Sequence, residues 1–145
     1  MTEVAFHFNA ADKVAYACRL LRKAVASQAR VVVTAESAML GDLDRQLWTF
    51  SALEFVPHCV AGADEAIRAR SPVVLAEQVA DVPHHQVLVN LGDAVPTGFE
   101  RFERLIEVVS LDDGDRQQAR QRWKHYADRG YAITRHDLGA AGAAS

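Results

Sequence analysis

Arg116, Arg120 and Lys124 recur at i, i+4 and i+8 in a stretch, residues 116–131, that also carries Trp123. At 100° per residue, Ala119, Trp123, Tyr126 and Ala127 share a stripe suited to packing on a sheet, and the three cations form a basic edge beside it. An aromatic between an apolar and a charged zone suits a ligand whose apolar group carries a carboxylate. The pattern also fits a plainer arrangement, in which the cations only solvate an outer face and Trp123 belongs to the core. Asp112, Asp113 and Asp115 place anions at the N-terminus of the predicted helix, with Arg129 near its C-terminus and Gly130 as its stop.

Other residue types able to do chemistry lack the spacing for it. His58 with Cys59, and His84 with His85, are adjacent pairs, and neighbours in an extended segment point to opposite sides, so no metal site is expected. GxGxxG and GxxxxGK[ST] do not occur, and the turn after the first predicted strand has no glycine but carries Asp12 where a phosphate would sit. No GxSxG is present, and Ser51 and Ser110 have no local base. Asn90 to Asp93 lies at the end of an internal strand, where α/β enzymes place catalytic groups, yet by itself it reads as an ordinary strand exit. No cofactor is expected.

The elements that must hold these residues alternate. Residues 3–8 read as a strand, with Asn9 as a candidate cap for an amphipathic helix over 10–28. Residues 30–34 and 86–91 are β-branched or apolar runs typical of strands covered on both faces. Ser37 is a candidate cap for a second helix ending near Trp48. A connecting segment with a short strand follows, rich in aromatics: Trp48, Phe50 and Phe55, each a core plug or a partner anchor. Beyond it come a briefly helical stretch within 62–71, a short strand at 73–75, a turn at 81–85, a short helix from Phe99, a strand at 105–109, the basic helix and an edge strand at 131–137. This order predicts a three-layer α/β/α domain over residues 1–138 with a largely parallel sheet, followed by a disordered tail at 139–145.

The 145 residues are half hydrophobic and 24% charged, enough for one core. A net charge of −3 and a pI near 6.0 give the whole molecule no field for a nucleic-acid backbone, so direct nucleic-acid binding is not expected. Two cysteines outside any CxxC, no leader and no apolar span of membrane length predict a reduced cytoplasmic protein.

In order and spacing, several segments resemble the chi-subunit family of bacterial DNA polymerase III holoenzyme. They are Leu47-Trp48 followed by Phe55 to His58, the strand end Leu88 to Leu91 with Pro96 and Phe99 beyond, Glu107 to Val109, and Ala119 to Tyr126 with Gly130-Tyr131. The resemblance runs from residue 3 to about 137. It implies a nucleotide-binding-like fold without a phosphate loop and a non-catalytic replication adaptor. In that family one face binds the psi subunit of the clamp-loader complex and another binds the acidic C-terminal tail of single-stranded DNA-binding protein. An accessory repair helicase can share the psi surface. Carried over by residue, the tail site falls on Arg120, Trp123 and Lys124, with Arg116 as an outer steering charge. Tryptophan stands where the family often has tyrosine, which keeps an apolar wall and loses a hydroxyl. The psi-facing aromatics correspond to Trp48 and Phe55, and Phe50 joins them by proximity. Localisation at the nucleoid through the replisome follows from the same likeness.

Two readings from other classes stay open at this level. One is a small α/β enzyme or nucleotide-binding domain using the strand ends near Asn9 and Asn90. The other is a self-associating domain that buries Trp48 to Phe55 against a copy of itself.

Overall fold

A computed structural model describes residues 1–49, 57–60, 63–80 and 82–139. Seven strands form one sheet: β1 (Glu3–Ala10), β2 (Val31–Thr34), β3 (His58–Val60), β4 (Val73–Leu75), β5 (Val87–Asn90), β6 (Arg104–Ser110) and β7 (Ile133–Asp137), in the order β3-β4-β2-β5-β6-β1-β7. The six neighbouring pairs are all parallel, so the sheet is more uniform than the largely parallel one expected from sequence. Parallel strands need crossovers, and burial on both faces follows. Every residue of β2 and β5 is buried, the reason those runs carry Val, Leu and no alternation.

Helices α1 (Lys13–Ala26) and α2 (Ser37–Thr49) cover one face, where Ala17, Leu21, Leu43 and Leu47 meet Val31, Val33 and Val89. Helix α4 (Asp113–Asp128) covers the other, where Ala119 and Tyr126 meet Val4, Phe6 and Leu105 beside Phe99 and Phe102. The short α3 (Glu65–Arg70) matches the brief helix read from 62–71, and the helix expected at Phe99 is a single 3-10 turn, Phe99–Arg101. Phe50, Phe55 and residues 140–145 of the expected tail lie outside the described residues. Both cysteines are buried free thiols, and burial first, then Asp12, pushes the Cys18 thiol up to about 11 against the pull of Arg19.

Two caps differ from the sequence expectation. Asp12, and not Asn9, caps α1: its carboxylate accepts from the Ala15 amide at 3.1 Å. Asn9 takes a left-handed backbone, φ 66°, and sends its amide to Asp137 Oδ1 at 2.8 Å, linking β1 to the edge strand. Ser37 is the first residue inside α2, and the preceding Glu36 carbonyl accepts from Leu40 at 3.0 Å. The expected end of α4 holds, with Gly130 at φ 80° just beyond it.

On the α1 face of β1, His7 bonds through Nδ1 to the Tyr16 hydroxyl at 2.6 Å, and its ring centroid lies 4.6 Å from that of His136. Burial, then the charges of His136 and Arg104, lowers the His7 pKa from 6.5 to about 4. Arg19 lies over the Tyr16 ring at 5.9 Å, adding another cation nearby. A histidine held neutral in the fold binds fewer protons than in the unfolded chain. Its contribution is therefore whole above pH 6.5 and lost as pH falls toward 4. His84 shifts in the same direction, through burial first. Discounted for partial exposure, the His7 loss is on the order of 2 kcal/mol. Urea unfolding at pH 7 and pH 4.5 is expected to show it, and His7→Gln to flatten the slope; an equal slope in the variant rejects the assignment.

Candidate functional site

The sheet's order and the helix's rotation create a groove between α4 and the edge strand β7. Strand β7 returns beside β1 in the register Phe6↔Arg135 and Phe8↔Asp137, so Arg135 stands on the same face as Phe6 and Phe8. Helix α4 lies above that face. Residues 116, 119, 120 and 123 line its side of the groove, following the i, i+3, i+4, i+7 spacing of one helical face. Phe6, Phe8 and Val109 complete the apolar floor of a space of about 460 Å³.

Trp123 is half-buried, its ring 5.0 Å from Phe6. It lines the groove and also packs against the core on the α4 face. Arg116 and Arg120 are exposed on the helical wall and Arg135 on the strand wall. The Arg135 guanidinium carbon lies 5.2 Å from the Phe8 ring and 5.9 Å from the Trp123 ring. Among the described residues none of the three arginines forms an ion pair.

Lys124 is exposed but does not line the groove. At 100° per residue the eight-residue step from Arg116 drifts by about 80°, enough to carry its side chain round the helix. Ala127, expected in the buried stripe, is exposed for the same reason. The inward position is taken by Arg122, which the sequence reading left out. Only 2% exposed, it donates from Nε to Glu107 Oε1 at 3.0 Å and from Nη1 to the Asp93 carbonyl at 2.7 Å. Glu107, fully buried on β6, also accepts from the Tyr126 hydroxyl at 2.5 Å and from Asn90 Nδ2 at 3.0 Å. Burial raises the Glu107 pKa, while Arg122, Tyr126 and Asn90 pull it back. Burial and the Glu107 charge push the Tyr126 hydroxyl far up, so it stays a neutral donor. This cluster fixes how α4 is rotated, and thereby which side chains face the groove.

The strand ends where a nucleotide-binding fold would hold its ligand are occupied by the protein itself. Lys13 Nζ reaches the Leu91 carbonyl at 2.9 Å and Asp115 Oδ1 at 3.0 Å. Asp115 Oδ2 accepts from the Ser110 amide at 2.7 Å, and Asp112 caps α4 through the Asp115 amide at 3.0 Å. Burial alone would raise the Asp115 pKa, but the Ser110 amide and Lys13 hold it below its ordinary value. Asp12 and Asp112 thus supply an anion to each helix N-terminus that a phosphate would otherwise seek. A crevice of about 600 Å³ at the ends of β2 and β5 is lined by Glu36, Glu77 and Asp93, a poor setting for phosphate. His58 bonds to Asp44 at 2.9 Å and His84 to the Ser71 carbonyl at 3.2 Å, and no metal-binding cluster occurs among the described residues.

At the opposite end of the sheet, Trp48 is 61% exposed on the last turn of α2, its ring 5.3 Å from His58 at edge strand β3. Val60 and Ile67 are also exposed near this edge. No helix among the described residues is long and apolar enough to cross a membrane.

The sequence also matches known proteins. The family described as DNA polymerase III chi subunit, HolC, matches residues 1–134. The chain is 33% identical over 143 residues to DNA polymerase III subunit chi of Pseudomonas aeruginosa, covering 95% of this chain and 98% of that protein. It is 29% identical over 125 residues to the subunit chi of Haemophilus influenzae, covering 85% of each chain. It is 29% identical over 118 residues to that of Escherichia coli, covering 80% of this chain and 79% of that protein. With a family match across nearly its whole length, the chain belongs to the DNA polymerase III chi subunits, components of the replication machinery.

Proposed function

We propose that this chain is a non-catalytic adaptor that joins the clamp-loader complex to coated single-stranded DNA through two separated surfaces. The groove takes the acidic, phenylalanine-terminated tail of single-stranded DNA-binding protein. The surface around Trp48 takes the psi subunit. The observation that carries the reading is the groove itself: an apolar floor with three arginines at its rim and no carboxylate of the described chain paired to them. An aromatic ring with nearby carboxylates complements both features. The protein is acidic overall, so this local basic rim favours an acidic peptide while the molecule as a whole is repelled by DNA phosphates.

The placement of Trp48 supports simultaneous engagement. The groove adjoins β7 and Trp48 adjoins β3, the two ends of a seven-stranded sheet. At about 4.8 Å per strand they stand roughly 30 Å apart, room for two partners without competition. Phe55 is carried in this proposal from the family resemblance alone, and Phe50 from its proximity to Trp48 in the sequence.

One capture experiment tests both halves. An immobilised acidic peptide ending in phenylalanine is expected to retain the chain, and to retain psi only when the chain is present. Trp48→Ala is expected to lose psi and leave the chain on the peptide. Failure of the wild-type chain to bind the peptide refutes the tail-binding half. Unchanged psi retention by the Trp48 variant refutes the other.

A further inference from the structure

We infer that Arg135, on edge strand β7, is the residue that reads the terminal α-carboxylate of the acidic peptide, making the groove selective for a chain end over an internal acidic segment. The inference rests on the tail-binding reading of the groove and assigns a residue that the basic helix does not contain.

The terminal ring and the α-carboxylate belong to one residue of the ligand, so the carboxylate must lie beside wherever the ring lies. Phe8 and Trp123 form the aromatic part of the floor, and the cation over both of them is Arg135, at 5.2 and 5.9 Å. Arg116 and Arg120 stand one helical turn apart on the opposite wall, in reach of side-chain carboxylates farther along an extended peptide. Contact with two rings restrains the Arg135 stem and orients its fork, which lowers the entropy lost when the fork pairs with a carboxylate. The acidic neighbour on β7, Asp137, is engaged by Asn9 Nδ2 at 2.8 Å and by the Gly139 amide at 2.9 Å. The Arg135 fork therefore faces the groove with no competing carboxylate among the described residues.

The test is calorimetric titration with two peptides of one acidic, phenylalanine-terminated sequence, one a free acid and the other a C-terminal amide. On the wild-type chain the amide is expected to bind about tenfold more weakly, the loss of one charge-assisted contact. On Arg135→Ala the free acid is expected to fall to the amide's level, so the two peptides become nearly equal. Arg120→Ala is expected to weaken both while keeping their ratio. Arg135→Lys, which keeps charge without the planar fork, is expected to fall between wild type and Arg135→Ala. Because Arg135 is exposed on an edge strand, thermal melting should be unchanged in both variants. An acid-to-amide ratio that survives Arg135→Ala overturns the assignment while leaving tail binding intact. A wild-type chain that binds neither peptide overturns the tail-binding reading, and this assignment with it.

Discussion

Glu107→Ala is expected to cost about 3–5 kcal/mol of folding stability, the scale for stranding one member of a buried ion pair. The carboxylate has no exposure, and its partner Arg122 is only 2% exposed. Removing the carboxylate leaves a guanidinium with no route to water, because α4 lies over it and the sheet lies under it. Tyr126 and Asn90 lose an acceptor at the same time, so polar groups from α4 and β5 are stranded together. The paired replacement Glu107→Leu with Arg122→Met removes both charges and restores apolar contact. It is therefore expected to be more stable than either single variant, even though it changes two buried residues. Urea unfolding midpoints at constant slope decide the matter. A loss below about 1 kcal/mol for Glu107→Ala would mean that water or a rearranged Arg122 relieves the charge, and that the cluster does not set the rotation of α4.

That cluster also marks where sequence reading stops. The β-branched runs of β2 and β5 are legible because burial on both faces forbids alternation, and Gly130 is legible because the helix end requires a positive φ. Glu107, Arg122 and Asn90 are polar residues in three separate segments, and nothing local distinguishes them from surface residues. Their burial exists only once β5, β6 and α4 are stacked, so Asn90 read as an ordinary strand exit. Asp12 was legible as a carboxylate in the phosphate position but not as the cap that displaces Asn9, since an N-terminal boundary shift of a few residues decides between them. Arg135 was legible as part of an edge strand. Its membership of the groove depends on the chain crossing from β6 past β1, so that β7 pairs along the outer edge of β1, a long-range register with no trace in local spacing. Lys124 differs again: the spacing of 116, 120 and 124 is visible in the sequence, but each four-residue step overshoots a turn, and the accumulated drift carries Lys124 outside the groove lining.

That drift separates two charge reversals that look equivalent in the sequence. Arg120→Glu places a carboxylate on the groove wall facing the ligand's acidic groups, next to Trp123. The loss of an attractive contact is then joined by repulsion across the apolar floor, where less solvent intervenes, and tail-peptide affinity is expected to fall by about a hundredfold or more. Lys124→Glu reverses a charge outside the lining, acting on the peptide through water and over a longer path. Its effect is expected to be a few-fold at low salt and to fade near physiological ionic strength, where the Debye length is about 8 Å. Calorimetric titration of both variants at two salt concentrations distinguishes the cases, with unchanged melting as the control for folding. Equal losses would mean that the peptide runs along the outer face of α4, in the line marked by Arg116, Arg120 and Lys124. A dominant loss at Arg120 would mean that the ligand enters between helix and edge strand, and that β7 belongs to the recognition surface as much as the basic helix does.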